Sequence, residues 1–233
     1  MAKKLKGTLY EKIQDWRPRT ERLMKEYGNV VVDKITISQI LGGMRGIKSL
    51  VSDISYLDPL EGIRYRGYTL PEVFEKLPKA KNSEMPLVEG LYYLLLTGDM
   101  PTEEQAAGMV EEFSQRRILP RYIYEVIDGM PCCSHPMTIF STAILTMHRE
   151  SFFTKKYHAG LNKADYWDPT YEDSLNLLAK LPEIATYIYA KLYRDGKRIQ
   201  SNPNLDFGGN FAHMMGIGRP YDDVSRMHFI VHA

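Results

Sequence analysis

Hydrophobic residues recur at helical spacing along most of the chain. Near the start, Leu5, Leu9 and Ile13 are four positions apart, and apolar residues continue beyond Pro18. This spacing places the apolar side chains on one face of a helix, and a proline inside a helix removes one of its backbone hydrogen bonds. We therefore predict a first helix that is interrupted or kinked at Pro18 and ends at Gly28.

The same periodicity predicts a series of later helices. Thr102 begins one of them, with Gln105 three residues on as the partner in a capping box. The longest should be kinked at Pro182. Glycines lie where several should stop, as at Gly98 and Gly216. The predicted helices cover residues 70–77, 87–97, 102–117, 120–128, 136–150, 152–159, 170–195, 207–215 and 221–233.

Alternation with a period of two is confined to a short region near the amino terminus. On either side of residues 58–62, Ile54, Tyr56, Ile63 and Tyr65 alternate with polar residues, which predicts a β-hairpin over residues 52–66. Residues 30–32 are three consecutive valines, whose β-branching favours a strand. The predicted fold class is mainly α with one short β-hairpin.

Composition excludes several classes of protein. The chain has 233 residues, 44% of them hydrophobic, enough for one large core or for one domain with part of another. Thirty basic and 29 acidic residues leave a net charge of +1, so we predict no nucleic-acid or membrane-surface partner.

The strongly apolar run at residues 91–96 is far shorter than the roughly 20 residues of a membrane span. No signal peptide is evident, which predicts a cytoplasmic location.

Two adjacent cysteines precede one of the predicted helices. The Cα atoms of Cys132 and Cys133 must lie about 3.8 Å apart, closer than an ordinary disulfide allows. We interpret them as a reduced pair, with a vicinal redox switch as the alternative. His135 could act as their base, but Pro131 and Pro136 bracket a turn that would separate the side chains.

Two histidines near the carboxyl end have the spacing of a metal site. His228 and His232 are four residues apart on a predicted helix and so share one face. Phe229 occupies the position at which the zinc-protease motif requires glutamate, and no third ligand lies nearby. We predict core or interface histidines and no bound metal.

A glycine-rich segment surrounds one arginine. Glycine allows positive φ and close approach of a ligand to the backbone, and arginine can bind a phosphate group through two hydrogen bonds. A surface or structural role for Arg45 is the alternative. The segment is not a nucleotide-hydrolysing phosphate loop, because Lys48 does not follow a glycine. Its residues are Gly42, Gly43, Met44, Arg45 and Gly46.

This segment and residues 57–68 resemble the amino-terminal signature of the citrate synthase family, in the form found in mitochondria and some bacteria. The resemblance continues in order along almost the whole chain, through residues 84–91, 96–98, 101–105, 135–137, 166–167, 171–173 and 179–182. It implies that residues 1–233 are the amino-terminal part of a large helical domain, with the small domain and the remainder following Ala233. It also implies a homodimer, which we place at residues 136–150 and 170–195 because of their broad apolar faces.

The resemblance implies an acyltransferase of the tricarboxylic acid cycle that condenses acetyl-CoA with oxaloacetate, giving citrate and CoA. In that family a carboxylate takes a proton from the acetyl methyl group and two histidines assist, with no metal or redox cofactor. All of these groups are expected beyond Ala233, so the chain alone should be inactive. The alternatives are a 2-methylcitrate synthase that uses propionyl-CoA and a non-catalytic helical dimerisation fragment.

Three site residues follow from the resemblance, position by position. Arg45 matches an arginine that contacts phosphate on CoA. Lys163 stands where the family often has a second such arginine. Lysine keeps the positive charge but lacks the planar guanidinium group that can bind a phosphate through two hydrogen bonds. His232 lies just before the segment that holds oxaloacetate. The resemblance also allows the mitochondrial matrix as the location, if a transit peptide has been removed.

Overall fold

The computed structural model describes residues 4–47, 50–81 and 83–217, and these are mainly helical, as predicted. Two single 3₁₀ turns lie at Met147–Glu150 and Lys163–Asp165. The helices are α1 (Leu5–Tyr27), α2 (Ile37–Leu41), α3 (Leu70–Lys76), α4 (Val88–Thr97), α5 (Glu103–Arg116), α6 (Arg121–Gly129), α7 (Pro136–Thr146), α8 (Phe152–His158), α9 (Trp167–Tyr193) and α10 (Phe207–Met215).

The predicted hairpin is confirmed, and it is part of a small antiparallel sheet. Strands β1 (Ser55–Asp58) and β2 (Gly62–Tyr65) pair with Tyr56 opposite Arg64, and β3 (Tyr68–Thr69) adds to the other edge of β2. The Asp58 carboxylate accepts hydrogen bonds from the backbone amides of Glu61 and Leu60, which close the turn and lower the pKa of Asp58. The third strand was not predicted because two residues are too few to show a period.

The amino-terminal region departs from two expectations, an interruption of the first helix and a strand at residues 30–32. Helix α1 is not interrupted at Pro18; helical residues continue on both sides of the proline to Tyr27, and the Gly28 amide ends the helix with a 3.0 Å hydrogen bond to the Met24 carbonyl oxygen. Residues 30–32 form no strand, and their valines are 58–77% exposed. Valine favours strands only where a neighbouring strand pairs with it and packs against it.

The two helices predicted to form a subunit interface have different bounds from those expected. Residues 136–150 divide into α7 and the 3₁₀ turn at Met147–Glu150, while α9 starts at Trp167 and passes through Pro182. The left-handed backbone at Asp195 and Gly196 follows the end of α9. The helix predicted at 221–233 lies outside the described residues.

Helix α9 contributes to two of the three buried clusters. One end packs with α6 and α7 and the other with α4 and α5, while the third cluster joins the sheet to α3 and α4. Each fully buried aliphatic or aromatic side chain contributes about 1.5–3 kcal/mol relative to exposure. Helix α9 is therefore the element against which the helices of both clusters pack. Buried members of the clusters include Ile123, Ile139, Ile188, Tyr93, Phe113, Leu175, Val73 and Leu94.

Candidate functional site

The Arg45 loop is anchored to the short helix α2. Thr36 and Gln39 form a capping box at the start of α2, with hydrogen bonds of 3.0 Å from the Thr36 amide and 3.3 Å from the Gln39 amide. The Met44 amide then donates to the Gln39 carbonyl oxygen at 2.8 Å. The loop that follows α2 thus has a defined path despite its three glycines.

The backbone around Arg45 bends in the way its glycines predict. Gly43 and Gly46 both have φ near 76°, and Met44, with φ of 63°, is a non-glycine residue in the left-handed region. The Ile47 amide donates to the Met44 carbonyl oxygen at 3.3 Å and closes a turn around Arg45. A left-handed methionine costs about 1–3 kcal/mol, which the surrounding structure must offset.

The Arg45 side chain is exposed at the edge of this turn. Among the described residues, it forms no ion pair with a carboxylate. An exposed guanidinium with its donors available can form two parallel hydrogen bonds to a phosphate group. The geometry is therefore compatible with the predicted phosphate contact.

The other two arginines of the amino-terminal signature have structural roles. The Arg66 Nε donates to the Leu95 carbonyl oxygen at 2.8 Å, and its guanidinium lies 3.0 Å from the Asp53 carboxylate. The Arg64 guanidinium donates to Glu61 at 2.7 Å within the hairpin. Arg66 thus binds the sheet to the carboxyl end of α4. Of the three arginines, Arg45 is the one that has no carboxylate partner among the described residues.

Lys163 lies in the 3₁₀ turn between α8 and α9 and is exposed. The Asn162 side chain accepts a 3.0 Å hydrogen bond from the Ala164 amide, and the Arg17 guanidinium donates to the Ala164 carbonyl oxygen. Tyr166 packs edge-on against Phe153, with 5.1 Å between ring centroids. These contacts hold the turn in place and leave the Lys163 ammonium at the surface.

Charged groups beside this turn fix the start of α9. The Asp168 carboxylate lies 2.6 Å from the ammonium groups of both Lys156 and Lys6. Hydrogen bonds from Lys156 and then Lys6 lower the pKa of Asp168. The charges of these two lysines are thus paired with a carboxylate. Lys163, in contrast, has no carboxylate partner among the described residues.

The remaining predicted site residues are not brought together in the described structure. His228 and His232 lie outside the described residues. Cys132 and Cys133 are both exposed, and the His135 Nδ1 accepts a 3.2 Å hydrogen bond from the Met137 amide at the start of α7. His135 therefore serves as a helix cap, and this contact gives no support to a cysteine–histidine pair.

A network of charges lines a groove that sequence reasoning missed. The Glu172 carboxylate lies 2.7 Å from the Lys6 ammonium and 2.8 Å from the Arg116 guanidinium, which also pairs with Glu112 at 2.5 Å. Burial opposes ionisation of Glu172, but hydrogen bonds from Lys6 and Arg116 outweigh it and lower its pKa. The groove, between α1, α5 and α9, has a volume of about 610 Å³. Its central charges pair with one another, so the network stabilises the fold.

A second polar cluster is buried beneath α10. The Glu89 carboxylate accepts a 2.8 Å hydrogen bond from the Phe207 amide, and Glu183 accepts one of 2.9 Å from the Tyr124 hydroxyl and another from Arg198. Burial, with the charge of Glu183, raises the pKa of Tyr124 to about 12. A small cavity adjoins this cluster and is lined by residues that include Glu89, Glu183 and Phe207.

The described ranges lack the features of a metal site and of a membrane span. No cluster of three or more histidine, cysteine, aspartate or glutamate side chains there could hold a metal ion. None of the helices there has the length and apolar character needed to cross a bilayer.

Comparison with known proteins identifies relatives along the whole chain. Residues 43–233 match the family model described as citrate synthase, C-terminal domain. The mitochondrial citrate synthase of Daucus carota is 43% identical over 230 residues, a match that covers 98% of this chain and 49% of the relative. The mitochondrial 2-methylcitrate synthase of Yarrowia lipolytica is 44% identical over 232 residues, covering 98% and 50%.

The fold has a similar relative among solved structures. The citrate synthase of Pyrobaculum aerophilum superposes with a TM-score of 0.68 and 24% identity, covering 87% of this chain and 50% of that one. At this identity the likeness concerns the fold alone. The chain spans about half the length of the curated relatives it matches.

Proposed function

Because the chain belongs to the citrate synthase family, we propose that it contributes to the condensation of acetyl-CoA with oxaloacetate, which yields citrate and CoA. Enzymes of this family are acyltransferases. The observation that carries the proposal is the exposed Arg45 on a bent glycine-rich loop, without an ion-pair partner among the described residues, in a chain 43% identical to a citrate synthase over 230 residues.

Arg45 supplies the principal contact to CoA in this proposal. The nucleotide part of CoA carries several phosphate groups, and a planar guanidinium binds two phosphate oxygens at once. The turn closed by Met44 and Ile47 holds the Arg45 backbone, so less freedom is lost when the phosphate binds. Arg45 thus acts in substrate binding and takes no part in proton transfer.

Lys163 supplies a second, weaker positive charge for CoA. Its ammonium is a point charge without the fork of an arginine, and the anchored turn beside Tyr166 presents it to solvent. The described residues show no contact between Lys163 and Arg45, so the two positions are separate contributions. His232 remains the residue proposed to lie near oxaloacetate.

The chemical step requires groups that we assign to the half of the relatives that the chain does not span. The reaction needs a carboxylate base for the acetyl methyl proton, a histidine that donates to the thioester oxygen, and a second histidine that polarises the ketone. No metal or redox cofactor is required by this scheme. Residues 1–233 alone should therefore bind substrate poorly and make no citrate.

A homodimer formed through α7 and α9 is part of the proposal. On α7, Met137 is 58% exposed and Leu145 is 75% exposed, and on α9 Tyr193 is 64% exposed. Large apolar side chains exposed on these helices favour an interface between copies of the chain. The family's antiparallel dimer agrees with this choice of helices.

Two other functions are alternatives to this proposal. The Yarrowia lipolytica relative favours a 2-methylcitrate synthase that uses propionyl-CoA, since it is as similar to this chain as the citrate synthase is. A non-catalytic helical dimerisation fragment is the remaining alternative. Both relatives are mitochondrial proteins, so we propose the mitochondrial matrix in preference to the cytoplasm.

These candidates can be separated with a joined polypeptide. Residues 1–233 are fused to the unmatched half of the Daucus carota relative, and thiol release is followed with oxaloacetate and either acetyl-CoA or propionyl-CoA. The same measurements are made on a second fusion, to the unmatched half of the Yarrowia lipolytica relative. A preference for acetyl-CoA in both fusions supports a citrate synthase, and a preference for propionyl-CoA in both supports the 2-methylcitrate synthase. A folded, dimeric fusion that releases no thiol from either substrate would support the non-catalytic fragment.

A further inference from the structure

The two cysteines of the chain lie side by side at the surface. Cys132 and Cys133 are both exposed and both free, and they are the chain's only cysteines. They occupy the centre of a turn closed by a 3.0 Å hydrogen bond from the Ser134 amide to the Pro131 carbonyl oxygen. The turn connects α6 to α7 and so presents two thiols at one point of the surface.

Both ends of this turn are fixed to the helical scaffold. On one side, the Lys191 ammonium donates to the Met130 carbonyl oxygen at 2.8 Å and to the Asp128 carbonyl oxygen at 3.1 Å. On the other side, His135 caps α7 through the Met137 amide. A turn held at both ends loses little further freedom when a ligand joins its two thiols.

The geometry favours a bridging atom over a direct sulfur–sulfur bond. Adjacent residues joined by a trans peptide have Cα atoms about 3.8 Å apart, whereas ordinary disulfides require roughly 4.4–6.8 Å and sulfurs at about 2.05 Å. An atom placed between the sulfurs allows them to remain further apart. Zinc is a poor candidate because it requires four ligands, and the described residues supply no third ligand here.

We propose that residues 131–134 form a dithiol site for trivalent arsenicals, with one arsenic–sulfur bond to Cys132 and one to Cys133. An arylarsine oxide, R–As=O, exchanges its oxygen for the two sulfurs. Two S–H bonds break, two As–S bonds form, and the oxygen leaves as water with both thiol protons. Arsenic stays trivalent throughout, so no oxidant or reductant is needed. The site is independent of the CoA contact at Arg45.

The test uses the 233-residue chain and phenylarsine oxide. Intact-mass spectrometry should show one phenylarsenic group per chain, and the free thiols should fall from two to none. The adduct should survive millimolar glutathione and be removed by 2,3-dimercaptopropanol. Helical circular dichroism should not change, since the thiols are already exposed.

Single replacements provide the matched controls. Cys132→Ser and Cys133→Ser each keep one thiol, and closing a second bond within one molecule typically raises binding by 10²–10⁴-fold. Each variant should therefore lose phenylarsenic to glutathione at least about a hundredfold more readily than the unchanged chain. Equal retention by either variant, loss from the unchanged chain, or loss of helical signal on binding would overturn the proposal.

Discussion

The Arg66 guanidinium donates a 2.8 Å hydrogen bond from its Nε to the carbonyl oxygen of Leu95, in the last turn of α4. The same side chain reaches the Leu96 carbonyl oxygen and pairs with Asp53, and it is only 15% exposed. Carbonyl groups at the end of a helix lack partners within it and interact favourably with a cation. Arg66 therefore joins the sheet, the segment before it and α4.

Replacing Arg66 by methionine should lower the free energy of unfolding by about 1.5–3 kcal/mol, the range for hydrogen bonds to a charged group. Denaturation by urea, followed by circular dichroism, measures the change. The control is Arg64→Met, because Arg64 pairs with Glu61 at a more exposed site and should have a smaller effect. Equal effects of the two replacements would contradict the role assigned to Arg66.

Stability should fall in acid because of Glu172. Its pKa is lowered from the ordinary value of 4.5 by Lys6 and Arg116, against the effect of burial. A carboxylate with a depressed folded-state pKa contributes stability above its unfolded pKa, and this is lost as pH falls through the folded pKa. Urea midpoints should therefore decrease below about pH 4.5. Glu172→Gln should show a shallower decrease; an unchanged slope would exclude this carboxylate as a cause.

Replacing Arg45 by alanine in the joined polypeptide should weaken acetyl-CoA binding by about 1.5–3 kcal/mol, the scale of a charge-assisted hydrogen bond. The KM for acetyl-CoA should rise about 10- to 150-fold, with much less change in turnover at saturation. Arg121→Ala is the control, since that arginine is exposed and pairs with Glu125. Lys163→Ala should have a smaller effect. An unchanged KM in the Arg45 variant would contradict a contact between Arg45 and CoA.

Residues 1–233 should sediment as a dimer at micromolar concentration. Leu145→Glu places a charge at an exposed apolar position of α7 and should give a monomer with unchanged helical content. Ile118→Glu is the control, because Ile118 is similarly exposed, at 78% against 75%, but lies between α5 and α6. A strictly monomeric unchanged chain, or equal effects of both variants, would count against the interface.

Local signals in the sequence predicted local structure well. Thr102 and Gln105 form the expected capping box, and Gly98 and Gly216 end helices with φ of 81° and 73°. The bent loop around Arg45 also follows from its glycines. In each case the residues that determine the structure lie within a few positions of one another, so a short stretch of sequence contains the necessary information.

Contacts between distant segments were not predictable in the same way. Valines 30–32 favour a strand, but no strand in the described part of the chain pairs with them, and such pairing depends on the rest of the fold. The hydrogen bond from the Arg66 side chain to the Leu95 carbonyl oxygen joins residues 29 positions apart. Likewise, the charges around Glu172 come from three different helices. The function of Arg45 came from family resemblance, since an exposed arginine on a bent loop has no unique chemistry.

The most direct test of the account compares residues 1–233 alone with the joined polypeptide in the same thiol-release assay. We assign the CoA contacts to this chain and the reacting groups to the half of the relatives beyond it. Acetyl-CoA and oxaloacetate should therefore give free thiol only with the joined polypeptide, and citrate should form at the same rate. Thiol release by residues 1–233 alone, at a rate comparable to that of the joined polypeptide, would contradict that assignment.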